Sequence, residues 1–222
     1  KAAQPVRLYL HSNGHANSLE GDGVLSFEAP RGTEPADRYR YDPANPVQTI
    51  GGGDCCNGGL VVPGAFDQRP VEIRNDVLVY TSAPLEQPLE VTGFVQPLLH
   101  VSSSAKDTDF AVKLVDVAPD GTAWIIGDTI LRARYRDGYL KPEPMQPGQV
   151  VALRPTPITT SIQFGKGHRI RVEITSSNFP KFARNLNTGG PNETESTMVV
   201  ADNAVHHSAE APSYIEVPVV KH

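Results

Sequence analysis

The segment GGGDCCNGG, residues 51–59, holds the residue types most suited to chemistry: Asp54, Cys55, Cys56 and Asn57 lie among five glycines. A trans peptide holds adjacent Cα atoms about 3.8 Å apart, whereas ordinary disulfides span about 4.4–6.8 Å. A bridge between the two cysteines would therefore be strained, and two thiols acting as small apolar groups fit better. Because no Lys-Ser/Thr pair and no helix pattern follow the glycines, we do not predict a phosphate loop.

Catalytic and metal-binding patterns are missing from the sequence. Serine, histidine and acidic residues are present, but there is no G-x-S-x-G nucleophile elbow, so we predict no catalytic residue in this chain. His11 and His15 lie in a polar turn. His206 and His207 are adjacent and would point to opposite faces of a strand. Structural zinc needs four convergent ligands at recognisable spacings, so we predict no metal and no cofactor.

Two other segments suggest structured loops. In DTDF, Asp107 and Asp109 flank a threonine at a strand entrance, and we expect at least one carboxylate to accept a backbone N–H bond. Two solvated loop carboxylates are the alternative. In SSNFPKFARN, Pro180 restricts the backbone, and we expect Phe179 and Phe182 to anchor the loop to the core or to another domain.

Composition and charge narrow the class of protein. The chain has 222 residues, 19 glycines and 20 prolines, which favours many short strands joined by turns. Its formal net charge is −5, and no segment is strongly basic. We therefore predict neither a nucleic acid nor a membrane as a partner.

Strand patterns rich in Val, Ile, Leu, Tyr and Thr recur along the chain, separated by turn residues. They predict strands at residues 6–10, 23–29, 37–43, 76–82, 89–103, 109–119, 123–136, 150–155, 160–164, 168–177, 197–207 and 213–220. The sequence thus predicts an all-β chain: one antiparallel β-sandwich of jelly-roll, galactose-binding-like type over residues 1–222, with a long loop at 42–70.

The segment 168–177 shows how one strand would be placed. Ile170, Val172 and Ile174 alternate with Arg169, Arg171 and Glu173. Successive side chains of a strand point to opposite faces. We therefore expect the apolar face to pack on the core and the charged face to be wet or interfacial.

Several segments, in order, closely resemble the C-terminal domain of one serine hydrolase family. They are residues 67–93, 101–136, 167–190 and 206–220, which include the DTDF and SSNFPKF motifs. The family is the cocaine-esterase and X-prolyl dipeptidyl-peptidase type, which also includes glutaryl-cephalosporin acylases and α-amino-acid ester hydrolases. The resemblance covers nearly the whole chain.

The resemblance implies a division of labour. In the family, an α/β-hydrolase domain carries the Ser–Asp–His triad, a helical cap covers it, and a C-terminal jelly roll packs against both. This chain would be the non-catalytic jelly roll, with the catalytic domain and the cap as its partners. The parent would hydrolyse small esters, amides or X-Pro peptides through an acyl-enzyme.

The resemblance also bears on GGGDCCNGG, which follows YDPANPV (41–47). In the family the corresponding loop leads toward the catalytic domain and can wall the acyl pocket. By resemblance, Asp54, Cys55, Cys56 and Asn57 are expected at the substrate pocket or the domain interface. Family members begin one strand before the match to RLYLHSNG, so we expect this domain to lack its first strand.

A different class of function also fits a jelly roll. Such domains often bind sugars, although the single tryptophan, Trp124, lies in AWIIGD, a run typical of the core, and no aromatic residue stands out as a stacking platform. The alternative prediction is therefore a free-standing carbohydrate- or ligand-binding module.

Overall fold

The computed structural model describes residues 2–53 and 59–221, so Asp54, Cys55, Cys56 and Asn57 lie outside the described residues. Its strands are β1 (Ala3–His11), β2 (Val24–Ser26), β3 (Asp37–Tyr41), β4 (Leu78–Ser82), β5 (Leu89–Ser103), β6 (Asp109–Val117), β7 (Ala123–Arg132), β8 (Val151–Leu153), β9 (Ile158–Phe164), β10 (Arg169–Thr175), β11 (Ala201–His206) and β12 (Tyr214–Val220). A short helix α1 (Arg69–Glu72) and a 3-10 turn (Ala133–Tyr135) accompany them. Within the described ranges, no helix combines the length and the apolarity that crossing a membrane requires.

The strands form a β-sandwich, which confirms the predicted fold class. Hydrogen bonds link them in the order β3-β11-β5-β12-β1-β2-β4-β10-β6-β7, with β8 and β9 also paired to β5. These pairs are antiparallel, apart from the parallel pair of β2 with β4. Strands from both ends of this order contribute to a single apolar core that includes Tyr39, Leu99, Leu114 and Val205. The sheet must therefore fold over on itself to bury one face.

The inner face of β10 follows the predicted alternation. Ile170, Val172 and Ile174 are all at most 1% exposed and belong to the main core. They pack there because every second side chain of the strand points to the same face.

The outer face of β10 differs from the prediction of a wet or interfacial surface. Arg171 and Glu173 are only 7% and 0% exposed. The described parts of residues 42–77, which are 42–53 and 59–77 and which we call the covering segment, lie over this face. A second apolar cluster, composed of Val47, Val71, Val77 and Val79, joins the covering segment to β4. The prediction was wrong because alternation reports the direction of a side chain and not what covers it.

The predicted loop at 42–70 falls within this covering segment, and its described part is packed. Val47 is fully buried, and so is Gln68, which precedes α1. The Gln68 side-chain amide donates hydrogen bonds to the carbonyl oxygens of Ile50 (2.9 Å) and Phe66 (3.1 Å). These bonds hold two stretches of the segment together.

Most predicted strand ends lie within about two residues of those in the structure, but the strand predicted at 197–207 begins only at Ala201 and the strand predicted at 123–136 is too long. Arg132 ends β7, and a 3-10 turn follows at Ala133–Tyr135. There the backbone N–H of Arg134 donates to Asp107 Oδ1 (3.0 Å) instead of to a neighbouring strand. The carboxylate of Asp107 takes the place of the backbone carbonyl that a neighbouring strand would provide, and strand propensity does not reveal this exchange.

Candidate functional site

The GGGDCCNGG loop is closed at its base by two glycines. Gly52 and Gly64 exchange backbone hydrogen bonds in both directions, with N···O distances of 2.8 and 2.9 Å. Gly51, Gly52 and Gly64 have φ angles of 65°, 105° and 133°. Residues that carry a Cβ rarely adopt positive φ angles of this size, whereas glycine does so readily. A Cβ on Gly51 would lie 2.5 Å from the Gly64 carbonyl oxygen. The pairing favours glycine strongly, and it brings residues 52 and 64, on the two sides of the loop, together at one point.

Large apolar side chains are exposed where this loop returns. Leu60 and Val62 are 62% and 64% exposed, and Phe66 and Trp124 are 40% and 41% exposed. Trp124 lies beside the returning chain because β7 forms a bridge there with Asp67. Single exposed apolar residues are normal on protein surfaces, but a concentration of them is typical of an interaction surface.

A buried ion pair lies beneath the loop base. Lys181 Nζ is 2.7 Å from Asp128 Oδ1, and Asn178 Nδ2 donates to Asp128 Oδ2 at 2.6 Å. A Cβ on Gly52 would be 3.8 Å from Asp128 Oδ1 and 3.9 Å from Lys181 Nζ. The pair therefore ties β7 to the SSNFPKFARN loop directly under GGGDCCNGG.

The two predicted aromatic anchors flank this ion pair. The Phe179 N–H donates to the Val47 carbonyl (2.9 Å), and its own carbonyl accepts from the Thr49 N–H (2.7 Å). Its ring and that of Phe182 are only half buried. Each ring lines an open cavity, of about 440 Å³ at Phe179 and about 330 Å³ at Phe182. The backbone of Phe179 thus joins the loop to the covering segment, while both rings face space that another surface could fill.

Asp107 and Asp109 lie in the interior beneath the SSNFPKFARN loop and hydrogen-bond to it. Both are buried, at 0% and 3% exposure, which rules out the alternative of solvated carboxylates. Asp107 accepts the backbone N–H of Arg134, and Asn185 Nδ2 donates to Asp107 Oδ2 (2.9 Å) and Asp109 Oδ1 (2.7 Å). Burial raises the pKa of Asp109, and the pairing with Arg132 and Asn185 offsets part of that effect. The two carboxylates bind a loop distant in sequence, not a turn of their own.

The described parts of the predicted site therefore converge on one loop surface. Gly51 and Gly52 lie at this surface with Phe179 and Phe182, and Asp107 and Asp109 lie beneath it. Sequence reasoning missed Asp128 and Lys181. The available signal was an aspartate in the middle of the apolar strand AWIIGDTIL, where a buried carboxylate needs a partner.

A second cluster has the composition of a catalytic triad. Ser12 Oγ lies 3.1 Å from His207 Nε2, and His207 Nδ1 lies 2.9 Å from Glu34 Oε2. Asp37 Oδ2, however, is 2.9 Å from the same Nε2, and both Asp37 oxygens lie within 2.8 Å of Ser12 Oγ. The hydroxyl of Ser12 therefore donates to Asp37 and not to the imidazole.

Electrostatics also argue against catalysis by this cluster. Burial lowers the pKa of His207, but its contacts with Asp37 and Glu34 outweigh burial and raise the pKa overall. A raised pKa between two carboxylates favours the imidazolium form of His207, and that form has no free nitrogen lone pair with which to act as a general base. The cluster instead joins β1, β3 and β11 by hydrogen bonds. Within the ranges that the structure describes, no three His, Cys, Asp or Glu side chains are grouped as metal ligands would be.

The fold and the loop surface define a β-sandwich domain that presents a loop and an apolar surface. Comparison with known proteins agrees. The family described as the X-Pro dipeptidyl-peptidase C-terminal non-catalytic domain matches residues 1–216. The chain is 46% identical over 215 residues to the cocaine esterase of Rhodococcus sp. (strain MB1 Bresler). That match covers 96% of this chain and 37% of the esterase.

Solved structures show the same relation. An α-amino acid ester hydrolase has a TM-score of 0.83 at 31% identity, covering 98% of this chain and 36% of that chain. An aminopeptidase from a marine sediment Thaumarchaeota archaeon has a TM-score of 0.82 at 30% identity, covering 98% and 37%. The chain belongs to the X-Pro dipeptidyl-peptidase C-terminal non-catalytic domain family, as the resemblance predicted. It spans little more than a third of the length of these relatives.

Proposed function

We propose that this chain is the sandwich domain of a serine acyl hydrolase and that it packs on an α/β-hydrolase catalytic domain with its helical cap. The observation that carries the proposal is the loop closed by Gly52 and Gly64, with exposed Leu60, Val62 and Phe66 on its returning side. A loop fixed at its base and apolar on its flank suits a contact with another domain. The fraction of the relatives' length that this chain spans leaves room for such a domain.

Within the same proposal, the tip of the loop contributes to the substrate pocket of the parent enzyme. Asp54, Cys55, Cys56 and Asn57 are the residues proposed to wall that pocket or its rim. The buried Asp128–Lys181 pair and the backbone bonds of Phe179 support this role, because they fix the platform from which the loop extends. The parent reaction would be hydrolysis of a small ester, an amide or an X-Pro peptide through an acyl-enzyme.

Hydrogen–deuterium exchange tests the docking surface. The 222-residue chain is compared with a longer protein in which it is joined to the proposed catalytic domain and cap. We expect amides of residues 59–66 and 178–184 to exchange at least tenfold more slowly in the longer protein. Residues 28–34, on the far side of β2, serve as the internal control and should not change. Equal exchange of the loop in both proteins would contradict docking by this surface.

Activity of the chain alone tests the division of labour. The pure chain should give no turnover of p-nitrophenyl acetate above buffer. Turnover that a serine-directed phosphonate abolishes would show a catalytic serine in this chain and would overturn the proposal. The Ser12→Ala variant is the matched control, because Ser12 belongs to the one Ser–His–acid cluster that we identify among the described residues.

The proposed anchoring by Phe179 and Phe182 has its own test. Replacement of both by alanine should destabilise the chain, because each half-buried ring loses apolar contacts. An unchanged midpoint of urea unfolding would remove the anchoring role and leave the docking proposal intact.

A second candidate function rests on Trp124, which is 41% exposed. An exposed indole can stack on a sugar ring, so the chain could instead be a free-standing carbohydrate-binding module. Saturable binding of soluble oligosaccharides that is lost in Trp124→Ala would favour this function. Binding that persists in the variant would not involve the indole.

A further inference from the structure

The outer face of the sheet carries an open groove of about 540 Å³ that the covering segment leaves free. Its floor includes Val79 and Thr81 of β4, Arg169 and Arg171 of β10, and Val117 of β6. It lies at the opposite end of β6 and β10 from the loop surface described above, because Arg169 pairs with the last residue of β6. The volume lies within the range of about 300–1,000 Å³ that is usual for small-molecule sites.

The charge of the groove is one-sided. Among the described residues that line it, only Arg169 and Arg171 are charged. Arg171 is held in place by Thr81 Oγ1, which accepts from Nε (2.8 Å), and by Glu72 Oε2, which accepts from Nη1 (2.6 Å). Its Nη2 has no hydrogen-bond partner among the described residues. The floor thus holds a guanidinium that is fixed in place and whose Nη2 N–H groups have no acceptor among the described residues.

Arg169 is the less satisfied of the two arginines. Its Nη1 donates to the Ser82 carbonyl (2.9 Å), and no carboxylate in the described ranges pairs with it. A guanidinium has five N–H donors in a planar fork that matches a carboxylate. The Ser82 carbonyl accepts from one of the five N–H donors of Arg169. A half-buried cation without a counter-ion, in a concave site, suits an anionic ligand.

The rest of the lining is apolar or glycine. Leu19, Val79, Pro84, Val117 and Pro119 provide aliphatic surface beside the arginines. An inorganic anion would use only the cations, and a neutral hydrocarbon would use only these walls. A ligand with both parts uses the whole groove.

We propose that this groove binds a small organic carboxylate. The guanidinium of Arg169, with that of Arg171 beside it, receives the carboxylate, and an aliphatic body packs on Val79 and Val117. The site is independent of the proposed docking surface, since it shares no lining residue with it.

A titration followed by ¹H–¹⁵N NMR tests the proposal on the 222-residue chain. The probe is 3-methylbutanoate, with 3-methylbutanamide as its neutral counterpart and inorganic phosphate as an anion without an apolar part. We expect saturable shifts of the Thr81 and Val117 amides with the carboxylate, and binding at least about tenfold weaker for the amide and for phosphate. No saturation with 3-methylbutanoate would overturn the proposal, as would equal binding of phosphate.

Variants locate the charge. Arg169→Gln should weaken binding of 3-methylbutanoate about tenfold or more, and Arg169→Lys should weaken it less, because the charge stays but the fork is lost. Arg31→Gln is the matched control, because Arg31 is 88% exposed and carries the same charge outside the groove. An equal loss in Arg31→Gln would show a general charge effect and would contradict a site. The thermal midpoint of each variant without ligand shows that it is folded.

Discussion

On the inner face of β10, Ile170, Val172 and Ile174 pack into the main core; on its outer face, Arg171 and Glu173 are buried under the covering segment. The inner face gains stability from apolar area removed from water, and it needs no specific partner. The outer face buries charges, and each must find a partner there. One strand therefore joins two interiors of different chemistry.

The partners on the outer face form a compact network. Lys113 Nζ lies 3.2 Å from Glu173 Oε2 and donates to Gln68 Oε1 (2.9 Å), while Arg171 Nη1 lies 2.6 Å from Glu72 Oε2. Glu72 Oε1 and Glu173 Oε1 accept no hydrogen bond from the described residues, and Glu173 Oε2 has the ion-pair contact with Lys113 without hydrogen-bond geometry. Because these buried oxygens already have few partners, the loss of one more partner in the network should be costly. Because Gln68 and Glu72 belong to the covering segment, it also fixes the chain that carries the Gly52–Gly64 loop base.

The largest expected effect comes from removing one member of the buried pair. Glu173→Ala leaves Lys113 buried without its carboxylate, and we expect a loss of about 3–5 kcal/mol in the free energy of unfolding. Urea unfolding measures it. On the inner face of the same strand, Ile174→Val removes one methylene and should cost only about 1 kcal/mol.

The double variant Lys113→Met with Glu173→Leu sharpens this comparison. It removes both charges and keeps similar volume, so we expect it to be more stable than Glu173→Ala by at least about 2 kcal/mol. If the double variant were as unstable as the single one, the loss would come from packing and not from an unpaired charge.

The next effect is a pH dependence that arises on the outer face. Burial and the neighbouring Glu173 outweigh Arg171 and raise the pKa of Glu72 to about 7. The folded state thus favours the neutral acid relative to the unfolded chain, where the pKa is 4.5. The corresponding stability is present below pH about 4.5 and is lost as the pH rises to about 7.

Glu72→Gln removes this titration. We expect the free energy of unfolding of the variant to fall less than that of the wild type between pH 5 and 7, by about 2 kcal/mol. His207→Gln, in the Ser12 cluster, serves as a control from another region. The raised pKa of His207 gives stability that is present below about 6.5 and lost at higher pH, so this control should not change the slope between pH 5 and 6. If the free energy of unfolding changed with pH in the same way for Glu72→Gln and for the wild type, Glu72 would not be the group that titrates.

The loop base gives a smaller effect, with a control two residues away. Gly51→Ala places a Cβ at φ 65° and against the Gly64 carbonyl, so we expect a cost of about 1–3 kcal/mol. Gly53 has open space at the same position, and Gly53→Ala should be within about 0.5 kcal/mol of wild type. Equal thermal midpoints for the two variants would show that the loop base is not constrained.

The smallest effect is expected at the exposed loop flank. Leu60→Asp and Val62→Asp should each change the stability of the 222-residue chain by less than about 0.5 kcal/mol, because both side chains are largely exposed. In the longer protein the same changes should lower activity or domain association. A large loss of stability in the chain alone would show that these residues serve its own core.

The strands and the core of this fold could be predicted from sequence, because both depend on local alternation. The pattern at 168–177 placed Ile170, Val172 and Ile174 inward without any knowledge of neighbours. The same pattern could not show that Glu173 meets Lys113, since that contact depends on the pairing of β10 with β6. The Asp128–Lys181 pair was missed for the same reason.

The sequence by itself determined the fold class and the family. These depend on side-chain alternation and on motifs in order. Only the tertiary structure decided the surroundings of the charged and polar side chains. Arg171 and Glu173 lie under the covering segment, and Asp107 and Asp109 lie under the 178–187 loop. Arg169 lies in an open groove with no carboxylate partner among the described residues. The physical reason is that a buried charge is stabilised by partners that are distant in sequence, and no local sequence pattern encodes those contacts.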